Sequence, residues 1–259
     1  LVTAPAFSEY EAALELVQCR TDRFVLREED DFGLDQGFVE AVGPETDMVF
    51  LCQPNNPTGR AVPRPLLERV LERCRAVGAL LVVDECFCDF LDDPGGFTMT
   101  GLLGEYGNLL VLKAFTKLYA MAGLRLGYCL CSDRALLDAM RGAGQPWAVS
   151  GPAQAAGAAA LGETEYVRDL RALIGRERPR LAAELSRLGF RVIPGEANYL
   201  LFRSHTPLIQ PLRERGILLR DCGNYHGLEA GWYRAAVRTA EENDRLTAAL
   251  EEILKEGAP

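Results

Sequence analysis

Between Asp47 and Cys131, short continuous apolar runs alternate with amphipathic stretches, the pattern of an α/β layer built on a mostly parallel sheet. The runs are Met48–Cys52, Leu80–Val83, Leu109–Leu112 and Leu126–Leu130, and runs of this kind are expected to be strands covered by helices on both faces. Between the first two, residues 63–78 carry Leu66, Leu67, Val70, Leu71 and Cys74 at helical spacing with arginines and glutamates opposite. That spacing predicts a crossover helix packed on the sheet. After Trp147 the pattern changes. An alanine-rich stretch over 153–161 and a charged amphipathic one over 163–188 predict two helices, the second long enough to bridge two units. Strands at 199–202, 217–219 and 232–237, with helices at 207–215 and 241–254, predict a second, smaller α+β layer. The expected organisation is a large α/β unit over 1–162, a connecting helix over 163–188 and a small α+β unit over 189–259.

Composition narrows the function classes. Of the 259 residues, 48% are apolar and 25% charged, an ordinary globular balance. Lys plus Arg number 28 against 37 for Asp plus Glu, and a net charge of −9 repels phosphate backbones. A small molecule is therefore the expected partner, and nucleic acid is not. No run approaches the roughly 18 apolar residues of a membrane span, and no basic-plus-apolar leader opens the chain, so a cytoplasmic protein without membrane contact is expected. The chain begins at Leu1 and runs straight into Val2-Thr3-Ala4-Pro5, which reads as the interior of a longer, N-terminally truncated protein. Eight cysteines sit mostly in apolar runs and form no C-x-x-C pair, as expected of buried reduced thiols. His205 and His226 are the only histidines, and no metal site is expected.

Three features carry chemistry. Pro54-Asn55-Asn56-Pro57-Thr58-Gly59 follows a buried strand directly; its prolines and glycine force a fixed turn from which an Asn amide points into the crevice at the carboxyl edge of the sheet. A plain Asn-Pro turn is the alternative. Asp84 ends the Leu81-Val82-Val83 run, where an acid faces the ligand crevice of an open α/β sheet and holds a ring nitrogen protonated, or else caps a turn. Lys117, in Phe115-Thr116-Lys117, follows another buried strand, where desolvation favours the neutral amine that forms a Schiff base. Arg125, eight residues on in Gly123-Leu124-Arg125-Leu126-Gly127-Tyr128, offers a guanidinium fork to a phosphate.

The order and spacing of these motifs resemble fold-type I pyridoxal-phosphate enzymes of the class I/II aminotransferase superfamily, from Tyr10 to the C-terminus. The resemblance implies pyridoxal 5'-phosphate as cofactor, with Lys117 as the lysine that bonds it and later moves protons at the substrate α-carbon. It implies Asp84 as the partner of the pyridine nitrogen, Asn56 as the donor to the phenolic oxygen, and Arg125 as a phosphate ligand, with Thr116 nearby. Arg234 resembles the arginine that grips the substrate carboxylate. Arg220 resembles a substrate-anion arginine of the histidinol-phosphate aminotransferase and threonine-phosphate decarboxylase branch, with a surface ion pair as the alternative. Asn224 stands in the same substrate-side stretch, and Tyr10 resembles a motif tyrosine that reaches the site or packs beside it. Trp147 and Asn198 fall where the superfamily places active-site or supporting residues. A homodimer is implied as well.

Phe87 stands where aminotransferases usually place a tyrosine donor to the phenolic oxygen, and with the 220–239 stretch it resembles threonine-phosphate decarboxylases. The reaction then implied is decarboxylation of L-threonine O-3-phosphate to (R)-1-amino-2-propanol phosphate in cobalamin biosynthesis, through Lys117. A histidinol-phosphate type aminotransferase is the alternative, and a non-catalytic binding protein of the same fold the second. Two positions depart from the pattern: Ala114 replaces a hydroxyl that touches the cofactor phosphate, and Gln53 replaces the Asn that often opens the turn. The superfamily's phosphate-cradling turn, ring-stacking residue and substrate-contacting arm are expected upstream of Leu1, so the chain alone is expected to bind the cofactor poorly.

Overall fold

A computed structural model describes residues 1–256. The longest apolar runs form the middle of a six-stranded sheet: β1 (Val2–Ala4), β2 (Arg23–Val25), β3 (Met48–Cys52), β4 (Leu80–Asp84), β5 (Leu109–Ala114) and β6 (Gly127–Leu130), in the order β2-β1-β3-β4-β5-β6. Every neighbouring pair is parallel except β5–β6. This is the mostly parallel α/β sheet that the runs predict. The helix Arg64–Val77 crosses from β3 to β4 and buries the predicted Leu66, Leu67, Val70, Leu71 and Cys74 against Leu81, Val83 and Val111. A parallel pair needs such a crossover, and its apolar stripe supplies the cover.

β6 departs from expectation. It is an antiparallel edge strand, and Gly127 and Tyr128 are exposed rather than covered on both faces. An apolar run reports side-chain type, not the number of neighbours a strand finds. Residues 217–219 form no strand; Ile217 N–H instead caps the helix Ile209–Glu214 through the Leu212 carbonyl, 2.9 Å away. Ile217 and Leu219 pack inward while Leu218 is exposed, which is the alternation the sequence reading took for pairing.

The second sheet holds β7 (Arg191–Val192), β8 (Tyr199–Arg203), β9 (Arg220–Asp221) and β10 (Trp232–Ala236), all antiparallel, in the order β7-β8-β10-β9. Leu200 and Phe202 of β8 face a core shared with the helices Thr164–Arg187 and Ala240–Glu256. Leu201 and Trp232 turn the other way, onto Leu26 and Phe32. A segment that follows the larger sheet's β2 thus covers the far face of the smaller one. The helix Thr164–Arg187 buries Ile174, Leu181 and Leu185 against the small sheet. Its other residues reach the large one: Arg171 Nε donates to the Asp89 carbonyl at 2.7 Å and Arg178 pairs with Asp92 at 2.9 Å.

Of the eight cysteines, Cys52, Cys74, Cys88 and Cys222 are buried, Cys86, Cys129 and Cys131 are half-buried, and Cys19 is exposed, so burial is less general than the sequence suggests. Burial pushes the Cys222 thiol up to about 11 and the Cys74 and Cys88 thiols up to about 12. No helix among the described residues is long and apolar enough to cross a membrane.

Beneath the carboxyl end of β4 lies an ionic cluster. Glu85 is fully buried and accepts from Lys113 Nζ at 3.0 Å, from the Thr98 hydroxyl at 2.7 Å and from the Met99 N–H at 2.7 Å. Lys113 also meets Asp89 at 3.2 Å. Burial alone disfavours the Lys113 charge, but Glu85 and Asp89 outweigh it and hold the ammonium well above its ordinary range. Lys113→Met leaves the buried Glu85 carboxylate without its counter-charge and is expected to cost about 3–5 kcal/mol, read as a lower urea midpoint at unchanged m-value. Adding Glu85→Gln is expected to return part of that loss.

Candidate active site

A cavity of about 590 Å³ opens where the carboxyl ends of β3, β4 and β5 approach the small sheet. Ligands of open α/β sheets bind at this edge because the strand ends leave a crevice between diverging connections.

The turn after β3 brings Asn56 to the cavity. Gln53, fully buried, closes the turn's base as a backbone would: its Nε2 donates to the Val62 carbonyl and its Oε1 accepts from the Val62 N–H, both at 2.8 Å. Asn55 fixes the middle, donating to the Pro5 carbonyl at 3.0 Å and to Thr58 Oγ1 at 3.1 Å. The turn is also tied to the small unit. Tyr199 donates to the Asn55 carbonyl at 3.0 Å and Glu196 N–H donates to the Gly59 carbonyl at 2.8 Å. Gly59 has φ +74°, and a Cβ there would stand 3.2 Å from the Gly195 Cα, so the close approach of the two backbones requires glycine. Asn56 Oδ1 accepts from Arg234 Nη1. That contact orients the amide so that its NH2 is the donor left for a ligand.

Asp84 ends β4 and is nearly buried. Its Oδ1 accepts from the Cys86 N–H at 3.0 Å and its Oδ2 from the Tyr10 hydroxyl at 2.5 Å. Lys117 sits on the single-turn helix Phe115–Leu118 that follows β5, with its Nζ 5.7 Å from the centre of the Phe87 ring. It lines the cavity but is exposed, so the desolvation expected of a lysine behind a buried strand is not what the fold provides: the short helix turns it outward. Arg125, exposed and left-handed at φ 53°, lines the cavity beside Thr116 and Ala114. Phe87 is buried, edge-on to Tyr199, and offers no donor. No group of three or more His, Cys, Asp or Glu among the described residues is placed to hold a metal ion.

The small sheet supplies the opposite wall. Arg234, on β10, stacks over the Tyr199 ring at 4.8 Å, and Arg220, on β9, over Tyr225 at 5.6 Å. Asn224 does not line the cavity. It lies on the loop beyond β9 and accepts from Arg220 Nη2 at 3.3 Å, so it holds the arginine rather than facing a ligand. That loop is pressed onto the end of β1: Gly227, at φ +83°, has room for no Cβ against the Ala4 carbonyl, 3.1 Å away.

Nine of the residues singled out from sequence therefore meet in one cavity: Tyr10, Asn56, Asp84, Phe87, Thr116, Lys117, Arg125, Arg220 and Arg234. Trp147 does not join them; it is almost wholly exposed. Asn198 is half-buried with no hydrogen-bond partner for its Oδ1. Sequence reasoning missed Phe7, Ser8 and Glu9, which bring an aromatic ring and the first turn of the helix Glu9–Leu16 to the cavity from within the chain. Their signal, the two apolar residues Ala6-Phe7 between Pro5 and Ser8, is too short for periodicity to register. Cys52, Cys86 and Tyr225 also line the space.

The family model described as aminotransferase class I and II matches residues 1–250. The chain belongs to the aminotransferase class I and II family. Within that family it is 39% identical to the threonine-phosphate decarboxylase of Salmonella typhimurium over 263 residues, covering 100% of this chain and 72% of the relative. It is 34% identical to the histidinol-phosphate aminotransferase of Methanosarcina mazei, covering 97% of this chain and 66% of that one. The histidinol-phosphate aminotransferase of Sinorhizobium meliloti, solved in complex with pyridoxal-5'-phosphate, superposes with a TM-score of 0.86 at 25% identity, over 100% of this chain and 71% of that one. The chain thus spans two thirds to three quarters of these family members.

The buried Gln53–Val62 pair gives a direct check on the turn. Gln53→Ala leaves both Val62 backbone groups without partners and is expected to cost about 2 kcal/mol or more, with faster hydrogen exchange at the Val62 amide.

Proposed function

We propose that the chain carries the cofactor and substrate site of a pyridoxal-phosphate enzyme that decarboxylates L-threonine O-3-phosphate to (R)-1-amino-2-propanol phosphate, a step in cobalamin biosynthesis. The observation that supports the cofactor most directly is the donor set of the cavity: the Lys117 amine, the Asp84 carboxylate, the free Asn56 amide NH2 and the Arg125 guanidinium face the same 590 Å³ space, with Glu9, Arg220 and Arg234 also on its walls. The first four fit the cofactor's aldehyde, ring nitrogen, phenolic oxygen and phosphate in turn. Lys117 is the amine that would hold it covalently, Asp84 would keep a proton at the ring nitrogen, Asn56 would donate to the phenolic oxygen and Arg125 would meet the phosphate. When bound, the cofactor supplies an electron sink for the pair left at the substrate α-carbon.

The residues of the chain do the rest. The Asp84 carboxylate, held by two donors, would keep the positive charge of the ring nitrogen in place. Lys117, on the cavity wall, is positioned to return a proton to the α-carbon once CO2 has left. Arg234 and Arg220 lie on the opposite wall and suit a substrate with two anionic groups, a carboxylate and a phosphate. Phe87 gives the phenolic oxygen no second donor, as in the decarboxylase reading of the sequence. The 39% identity with a threonine-phosphate decarboxylase favours decarboxylation, and the 34% identity with a histidinol-phosphate aminotransferase supports transamination of a phosphorylated amine as the second reading. A homodimer in the cytoplasm accompanies either reading.

The test is the protein loaded with pyridoxal 5'-phosphate and given L-threonine O-3-phosphate. The expected result is CO2 release that falls by about 10²-fold or more in Lys117→Ala. Conversion of the cofactor to its amine form without CO2 overturns the decarboxylase in favour of the aminotransferase. Arg220→Lys is expected to raise KM by about tenfold, because an ammonium does not reproduce the planar fork.

A further inference from the structure

Tyr10 lies behind the cavity rather than across it. Its ring is 7% exposed, stacked on Phe50 at 5.2 Å and met edge-on by Phe7 at 5.7 Å, and it shares an apolar cluster with Val2 and Cys52. A phenylalanine would satisfy all of those contacts. The hydroxyl is the anomaly, because a buried O–H without a partner is costly and a packing role has no use for it. It donates to one acceptor, Asp84 Oδ2, at 2.5 Å. The other carboxylate oxygen accepts from the Cys86 N–H, so each oxygen of Asp84 holds one fixed donor.

We propose that Tyr10 is a positioning residue of the cofactor site, fixing the plane of the Asp84 carboxylate so that it faces the cofactor's ring nitrogen and the shared proton rests on that nitrogen. This rests on the pyridoxal-phosphate reading of the cavity. A hydrogen bond to the charged form of a carboxylate favours that form, and the proton then stays on the other member of the pair. Burial, with Cys52 and Asp84 beside it, pushes the Tyr10 phenol well above its ordinary range, so it is a donor at neutral pH. Asp84 reaches the cavity from the end of β4, and Tyr10 reaches the carboxylate's second oxygen from the helix that follows β1. The two ends of neighbouring connections thereby set one carboxylate.

The experiment compares wild type with Tyr10→Phe, which keeps the ring and removes the donor, by titration with pyridoxal 5'-phosphate and by the ¹⁵N chemical shift of the bound cofactor's ring nitrogen. The expected result is about tenfold weaker cofactor affinity and a ring-nitrogen shift moved toward that of unprotonated pyridine. In an Asp84→Asn background the same substitution is expected to change affinity by less than about twofold, since the carboxylate it acts through is gone. Unchanged affinity and ¹⁵N shift overturn the proposal, as does an equal loss in both backgrounds, which marks Tyr10 as packing. Should Tyr10→Phe not fold, 4-fluorophenylalanine at position 10 fills the hydroxyl's space without donating and is expected to give the same two changes; their absence overturns the proposal. The comparison is made in the full-length protein, and failure of its wild type to take up the cofactor overturns the underlying reading, distinct from any result on Tyr10.

Discussion

The turn from Gln53 to Val62 is the constraint on which the site depends. Its base is closed by one buried glutamine side chain, its middle by Asn55, and its outer surface by Tyr199 and Glu196 from the small unit. Each of these bonds is short-range in space but joins residues up to 144 positions apart. The consequence is that Asn56, Arg234 and Tyr199 are set by the same backbone. A change that loosens the turn does not simply move one donor; it shifts the wall on which the substrate-side arginines stand. Three side chains of the small unit hold the turn, Tyr199 on the Asn55 carbonyl, Glu196 on the Ala61 N–H and Arg234 on Asn56, so substitution at any of them loosens it.

The cavity's charge runs against that of the whole chain. The protein carries −9, yet Lys117, Arg125, Arg220 and Arg234 face Asp84 and Glu9 across one concave space. A low-dielectric cleft focuses that local excess of positive charge. Net charge therefore describes the exterior and not the site. The stacked arginines add to this: Arg234 over Tyr199 and Arg220 over Tyr225 keep their guanidinium planes pre-set, which lowers the entropy a ligand must overcome.

The parts legible in the sequence are those fixed by strand ends. Asn56, Asp84 and Lys117 each follow a buried run within a few residues, so period and position were enough to bring them to one edge. What pattern could not show depends on partners remote in sequence. The Tyr10–Asp84 bond spans 74 residues, and nothing local to Tyr10 announces it. Asn224 was placed among ligand contacts by its neighbours, whereas a four-residue reach back to Arg220 decides its orientation. Lys117 was read as desolvated because β5 is buried; the single helical turn after the strand, too short to carry a periodic signal, reverses that. Residues 217–219 failed for the same reason in the other direction, since an inward-outward-inward alternation fits a helix exit as well as a strand.

The end of β4 shows how one local rule divides two jobs. Successive side chains on a strand point to opposite faces, and at Asp84 and Glu85 this places two carboxylates, adjacent in sequence, in different worlds. Asp84 emerges at the cavity with hydroxyl and amide donors. Glu85 goes under the sheet to Lys113, Thr98 and Met99, where its charge is neutralised within the core. Asp89, one turn further on, completes the neutralisation of Lys113 and accepts, through its carbonyl, from Arg171 of the long helix. The buried pair fixes the strand end from below, and the Tyr10 donor fixes it from beside the cavity. Asp84 thus has little freedom to turn, so the cavity presents one carboxylate at one fixed angle.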